Sequence, residues 1–196
     1  MPSKLKLAIM AISIVSADAV MAAITVDVGN HFLAPGISGQ SIEINVSTDT
    51  SDTIAGMNFL AEVVGPLSNP LISDVHFDSP GLLFFGNSDG YNQSFGDGTI
   101  EQGSITVAIP DSEIPAAGMI RVFFDTTSIV GTGNWSLRLT NVLDNPANSS
   151  SFIASDGSII DAIFTDGTIF VVPEPSSMVL VFMSALGAIC WRSRGE

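Results

Sequence analysis

Between residues 24 and 172 no stretch of ten or more residues keeps the spacing of an amphipathic helix, and that bounds the fold. The segment alternates instead. In "QSIEINVS", Gln40 to Ser47, the residues Ile42, Ile44 and Val46 share one face of a strand, and "ITVDVG", Ile24 to Gly29, keeps the same two-residue period. Apolar runs in "AGMNFLAEVV", "GLLFF", "GSITVAI", "GMIRVFFDT", "NWSLRLTNVL" and "TIFVV" extend the pattern, and Gly, Pro, Asn or Asp interrupts it about every ten residues. Many short strands so punctuated predict an all-β domain, a sandwich or jelly roll. Three echoes, "DGTI" at Asp97, "DGSI" at Asp156 and "DGTI" at Asp166, share no common period and read as hairpin turns, not repeats.

Both ends depart from this pattern. Residues 1–22 join Lys4 and Lys6 to an apolar run, Leu7 to Ala17, and a small-residue stretch, Val20-Met21-Ala22. Those are the three parts of a secretory signal peptide. At the other end, "VVPEPSSMVLVFMSALGAICWRSRGE" sets two prolines before the 14 apolar-rich residues Met178 to Trp191, then two arginines. As a helix that run spans about 21 Å against a hydrocarbon core of about 30 Å, a mismatch a thinned bilayer accommodates. Arg192 and Arg194 would hold its far end on the cytoplasmic side. Pro173 and Pro175 keep the approach extended, and Ser176 or Ser177 can cap the helix. The chain thus divides into residues 1–22, one domain over 23–172 and a tail over 173–196.

Charge narrows the partners. Within residues 23–175 only Arg121 and Arg138 are basic, against 18 acids, so the net charge there is −16. Such a surface excludes nucleic acid and repels anionic lipid headgroups. The one cysteine, Cys190, lies in the tail. The domain therefore has no disulfide, thiol nucleophile or thiolate metal site, and its stability must come from a packed core.

Several residues are candidates for chemistry. Gly86-Asn87-Ser88-Asp89-Gly90 matches a nucleophile elbow, but "YNQSFGDGT" after it reads as loop where the elbow needs a helix, and both histidines, His31 and His76, precede the serine. The two histidines share no ligand spacing. Asp97, Asp156, Asp161 and Asp166, with Asn92 and Asn145, are candidate oxygen ligands for Ca²⁺, though no EF-hand or nonapeptide pattern holds them; solvated turn acids are the alternative. No other cofactor is expected. Tyr91 and Trp135, with Phe84-Phe85, are candidates for stacking on sugar rings, though Trp135 in the alternating "NWSLRL" reads more readily as core or sheet surface.

The order of signals resembles a cohesin-like β-sandwich. "VDVGNHFLAPGISGQSIEINVS" is similar to that family's opening hairpin, "DTIAGMNFLAEV" to the following strand, "GMIRVFFDTTSIVGTGNWSLRLTNV" to a late strand pair and "DGSIIDAIFTDGTIFVV" to the closing hairpin. The resemblance implies a jelly roll of roughly nine strands over most of Ile24 to Val172. It does not by itself assign a function.

The tail resembles a PEP-CTERM sorting signal: Pro173-Glu174-Pro175 matches the tripeptide, Met178 to Trp191 the transmembrane stretch, and Arg192 with Arg194 the basic end. Ser193 between the arginines and the final Glu196 are mild departures. The resemblance implies a Gram-negative bacterial protein, exported and inserted in the membrane as a precursor, then read by an exosortase that cuts near the motif. Proteins so marked accompany exopolysaccharide and biofilm formation. The expectation is a non-enzymatic protein of the cell surface or extracellular matrix, in contact with exopolysaccharide or surface proteins. A carbohydrate-binding module and a plain membrane-anchored protein are the alternatives. N-terminal sequencing of the exported chain is expected to begin within Ala19 to Ala23.

Overall fold

The computed structural model describes residues 24–49, 52–65, 68–88, 91–95, 100–106, 113–145 and 147–173. They form β1 (Ile24–Asp27), β2 (Asn30–Leu33), β3 (Ser38–Thr48), β4 (Thr53–Ile54), β5 (Gly56–Val64), β6 (Leu71–His76), β7 (Tyr91–Phe95) and β8 (Ile100–Thr106). After these come β9 (Ile114–Pro115), β10 (Gly118–Asp125), β11 (Gly133–Arg138), a 3₁₀ turn (Val142–Asp144), β12 (Ser151–Ile153), β13 (Ile159–Ile160), β14 (Ala162–Thr165) and β15 (Gly167–Val171). The expected signal peptide of residues 1–22 and the tail beyond Pro173 lie outside the described residues. Among the described residues no helix is long and apolar enough to cross a membrane.

Two sheets enclose one core. The first runs β14-β1-β3-β10-β6, and the second runs β13-β12-β5-β11-β15-β2. Gly56 to Asn58 pair with both β8 and β12, so β8, with β7 beyond it, lies on the edge of β5 opposite β12. The alternation seen in the sequence becomes burial: Ile42, Ile44 and Val46 of β3 and Ile120, Val122 and Phe124 of β10 all point inward. Met57, Phe59, Ala61 and Val63 of β5, Leu137 of β11 and Ile169 and Val171 of β15 face them from the second sheet. Phe59 meets Phe77 edge to face, with ring centroids 5.7 Å apart.

Fifteen strand segments stand where roughly nine strands were expected, because several strands break. The principal break is a corner. The chain passes from β1 in the first sheet to β2 in the second through Val28 and Gly29, and from β14 to β15 through Asp166. The two crossings run parallel: Val28 N–H donates to the Thr165 carbonyl at 3.1 Å and Thr168 N–H to the Gly29 carbonyl at 3.0 Å. Gly29 takes a φ of 71°, in the left-handed region, and the Asp27 carboxylate accepts its N–H. At Gly167 a Cβ would lie 2.1 Å from the Gly29 carbonyl oxygen. This corrects two expectations. The Asp166-Gly167 pair is a sheet-to-sheet corner, not a hairpin turn, and "DGSIIDAIFTDGTIFVV" spreads over four pairings instead of closing one hairpin. Asp156-Gly157 is a true hairpin turn, with Gly157 at φ 81° and Ala154 N–H donating to Ser158.

A second break lies between β11 and β12, which share one edge of β5 in series. Residues 139–150 leave the sheet between them. Ser150 fills the gap: its hydroxyl accepts the Leu60 N–H at 3.0 Å and donates to the Leu60 carbonyl at 2.9 Å, while its N–H donates to Leu139. The excursion packs against the outer side of β5, so Leu60 and Glu62 are buried although they alternate with the core residues. Arg138 pairs in register with Glu62, 3.5 Å away, and also reaches Asp144 at 2.9 Å. Arg121 likewise sits opposite Glu43 in register, at 2.6 Å. Each cation of the acidic domain is thus spent on a cross-strand glutamate.

Substituting Gly167→Ala is expected to destabilise the domain by about 1–3 kcal/mol, the cost of forcing a methyl into a filled space. A lowered urea midpoint at unchanged slope would check this.

Candidate functional site

Strand directions sort the connections into two ends. Val171 of β15 lies level with Leu33 of β2 and Gly133 of β11, and Asp125 of β10 with Leu71 of β6 and Ser38 of β3. The connections 34–37, 65–70 and 126–132 therefore gather at one end of the sandwich, and the C-terminal strand leaves from that same end. We call it the exit end.

Its frame is a buried threonine. The Thr126 hydroxyl, fully buried, lies 2.7 Å from the Ala34 carbonyl and 2.8 Å from that of Ile37, its proton going to one or the other. It accepts the Ile37 N–H at 3.1 Å and the Gln40 side-chain amide at 3.0 Å. Main-chain bonds from Gly36 to Thr126 and from Thr126 to Ile37, both 2.9 Å, complete the tie. Two connections that each cross between the sheets are thereby locked together. Nothing in the sequence singles Thr126 out beyond a hydroxyl after a strand, and the reading of the sequence missed it.

Beside this frame lies a cavity of about 280 Å³ lined by Ser68, Ser128, Ile129, Val130, Thr132 and Trp135. Trp135, the proposed sugar-stacking residue, is only 3% exposed. Glycines make room for its ring: a Cβ on Gly65 would lie 2.0 Å from Cδ1 of the indole, and one on Gly133 would lie 2.5 Å from its benzo edge. A ring so enclosed offers no open face to a sugar. Its Nε1–H is buried and has no hydrogen-bond partner, and neither has the buried Oδ1 of Asn69.

The exit itself is well held. Ile169 and Val171 are fully buried, Val172 N–H donates to the Leu33 carbonyl at 2.9 Å, and the next residue, Pro173, is exposed. The fold thus grips the chain up to the residue before the Pro-Glu-Pro tripeptide, whose first proline is exposed. Glu174, Pro175, Arg192 and Arg194 lie outside the described residues.

The remaining candidates are scattered. Tyr91 begins β7, and Asp97 lies outside the described residues. Asp156, Asp161 and Asp166 fall in three successive connections. The Asp156 carboxylate accepts the Ser158 N–H at 2.8 Å, and bonds from the Ser158 side chain and backbone hold it below its ordinary pKa. Asp166 accepts the Leu139 N–H at 2.8 Å. Among the described residues no group of three or more His, Cys, Asp or Glu side chains is placed to hold a metal ion. Ser88 ends a run of turns and the chain continues into strand β7, so the helix a nucleophile elbow needs does not follow. His76 bonds Asp74 at 2.8 Å on the first sheet, and His31, on β2 in the second, bonds the Val28 carbonyl.

Residues 171–194 match the PEP-CTERM protein-sorting motif. None of the curated proteins matches the sequence. Among solved structures, the sandwich is similar to the seventh ScaB type I cohesin from Pseudobacteroides cellulosolvens, at 16% identity over 77% of this chain and 93% of that one, with a TM-score of 0.52. It is also similar to a chain of a type I cohesin–dockerin complex from Clostridium thermocellum, at 15% identity over 76% and 99%, TM-score 0.53. A third is CaCohA2 from Clostridium acetobutylicum, at 14% identity over 76% and 91%, TM-score 0.52. The chain therefore carries a PEP-CTERM sorting motif behind a domain with the cohesin fold.

Thr126→Val keeps the shape of the side chain but strands the polar groups of the exit-end frame. It is expected to cost about 1–3 kcal/mol, the penalty for leaving buried hydrogen-bonding groups unpaired, as a drop in denaturation midpoint.

Proposed function

We propose that this chain is a non-enzymatic exported binding protein, delivered to the cell surface or extracellular matrix by exosortase processing of its tail. The observation that carries the reading is the sorting motif beginning on the last strand, with Pro173 exposed just beyond it. A membrane-surface protease or transpeptidase needs an extended segment it can grip. The final main-chain bond of Val172 marks where the fold ends, and Pro173 and Pro175 disfavour helix between that point and the apolar tail.

The domain's role follows from its chemistry. A disulfide-free sandwich of net charge −15 over residues 23–172 stays soluble outside the cell and avoids anionic polymers except through bridging cations. The cohesin fold favours a macromolecular partner, bound through surface strands instead of a deep catalytic cleft. Adhesion or structural contact within an exopolysaccharide matrix fits that surface.

The test is intact mass spectrometry of the protein from membrane, surface and medium fractions of its native host. The wild-type chain is expected to lose everything beyond the Pro173-Glu174-Pro175 region. Replacing that tripeptide by three alanines should leave the chain in the membrane fraction with its mass intact through Glu196. Wild-type chain that keeps its tail would make it a plain anchored protein.

A further inference from the structure

The exit end differs in composition from the rest of the acidic domain. The connections 34–37, 65–70 and 126–132, reading "APGI", "GPLSNP" and "TTSIVGT", contain no charged residue. Among the described residues of the connections at the opposite end stand Asp49, Asp52, Asp78, Glu113 and Asp156. Asp125, at the last position of β10, is a described acid at the exit end, and Glu174 follows Pro173 in the sequence; Asp97 lies outside the described residues. Asp125 is engaged by the Thr127 N–H at 2.8 Å. The acids of the described connections thus gather at the end opposite the point where the chain leaves.

Apolar side chains take the place of charge there. Val130, at the tip of the connection 126–132, is 98% exposed, and Ile37, Leu71 and Val172 are exposed around it. On the flank, Phe32, 70% exposed, stacks on Phe170 with ring centroids 5.2 Å apart. These side chains come from five separate parts of the chain that the topology brings to one end. Large exposed apolar groups gathered in one place mark a contact surface.

The length of chain beyond the domain identifies the occupant. Only Pro173 to Ser177 separate Val172 from the apolar run beginning at Met178, and five residues reach at most about 18 Å when extended. A domain tethered so closely by this end must present it to whatever holds the tail. We infer that, in the precursor with its tail still attached, the exit end of the sandwich seats on the lipid bilayer surface. Val130 and its neighbours enter the interfacial layer, and the acidic end points into solvent. The seat is possible because the connections 34–37, 65–70 and 126–132 carry no charged residue; the other end would be repelled by anionic headgroups. It also holds the Pro-Glu-Pro tripeptide at the membrane surface. The inference rests on the reading that Met178 to Trp191 enters the bilayer.

The test uses the full chain in phosphatidylcholine vesicles, carrying an environment-sensitive fluorophore on a single cysteine. One sample is labelled at native Cys190, and two others at Val130→Cys or Asp156→Cys in a Cys190→Ser background. Lipids bearing a nitroxide near the headgroup serve as quenchers. The label at position 130 is expected to shift to the blue and lose most of its emission to the nitroxide lipids, while the label at position 156 does neither. A quenched Cys190 label with positions 130 and 156 equally unquenched would overturn the seat and leave the tail reading standing. So would equal quenching at both positions, or a blue shift at 130 without lipid quenching, which would mean contact with a second copy. An unquenched Cys190 label would overturn the tail reading and the seat with it.

Discussion

The close approach of Gly29 and Gly167 governs this fold. There two strands from opposite ends of the domain sequence cross side by side from one sheet to the other, bonded through Val28 to Thr165 and Thr168 to Gly29. The crossing works only without a side chain at residue 167, whose Cβ position is already filled by the Gly29 carbonyl and by Val28. Because the crossing strands are parallel, a single corner joins one edge of the first sheet to one edge of the second, with β14 beside β1 and β15 beside β2. Parallel pairing of β1 with β14 and β2 with β15 means that the chain enters at one end and leaves at the other. Ile24 lies level with Thr48, whereas Val171 lies level with Leu33. The site where the sorting motif emerges is therefore a consequence of the corner.

How much of this is legible in the sequence depends on the range of the interaction. The alternation of Ile42, Ile44 and Val46 marks β3 because the first sheet buries one face and wets the other, the condition under which a period of two appears. On β5 the period is obscured. Met57, Phe59, Ala61 and Val63 face the core, but Leu60 and Glu62 on the other face are buried too, under an excursion ninety residues further along the chain. The Asp-Gly dipeptides show the same limit: the pair at Asp156 is a hairpin turn and the pair at Asp166 is a corner. A two-residue signal records the backbone conformation a turn needs and not which strand receives the chain next. Trp135 reads as core or as ligand surface from its own neighbours, and what settles it, the absence of side chains at Gly65 and Gly133, is a long-range fact. The sorting motif was legible because it is linear, its parts being read in order along the chain.

Electrostatics and packing divide the labour in this domain. With 18 acids and two arginines in residues 23–175, long-range repulsion opposes the compact state, and exposed ion pairs return little of it. The fold uses its two cations where they fix register, each opposite a glutamate on a neighbouring strand. Arg138 does more, because Glu62 is nearly buried and also accepts the Leu143 N–H at 2.9 Å. That arrangement pins an excursion in which Asn141, Leu143 and Asp144 all hold positive φ, a conformation costly for side-chain-bearing residues and kept only where the surroundings enforce it. Cohesion comes from the aromatic and branched core, as a disulfide-free exported domain requires.

The topology also orders events at the membrane. If the exit end seats on the bilayer, Ile24 stands at the opposite end, separated from it by the ten residues through Leu33, roughly 30 Å of strand. Ala23 alone separates Ile24 from the expected signal peptide of residues 1–22, so the folded domain has no slack on that side. A signal peptide still held in the membrane would pull the acidic end down to the bilayer while the tail pulls the neutral end. A rigid sandwich cannot satisfy both when each tether is only a few residues long. On the proposal that residues 1–22 are a signal peptide, its removal would precede the proposed seat, because the corner at Gly29 and Gly167 places the two ends of the described domain apart.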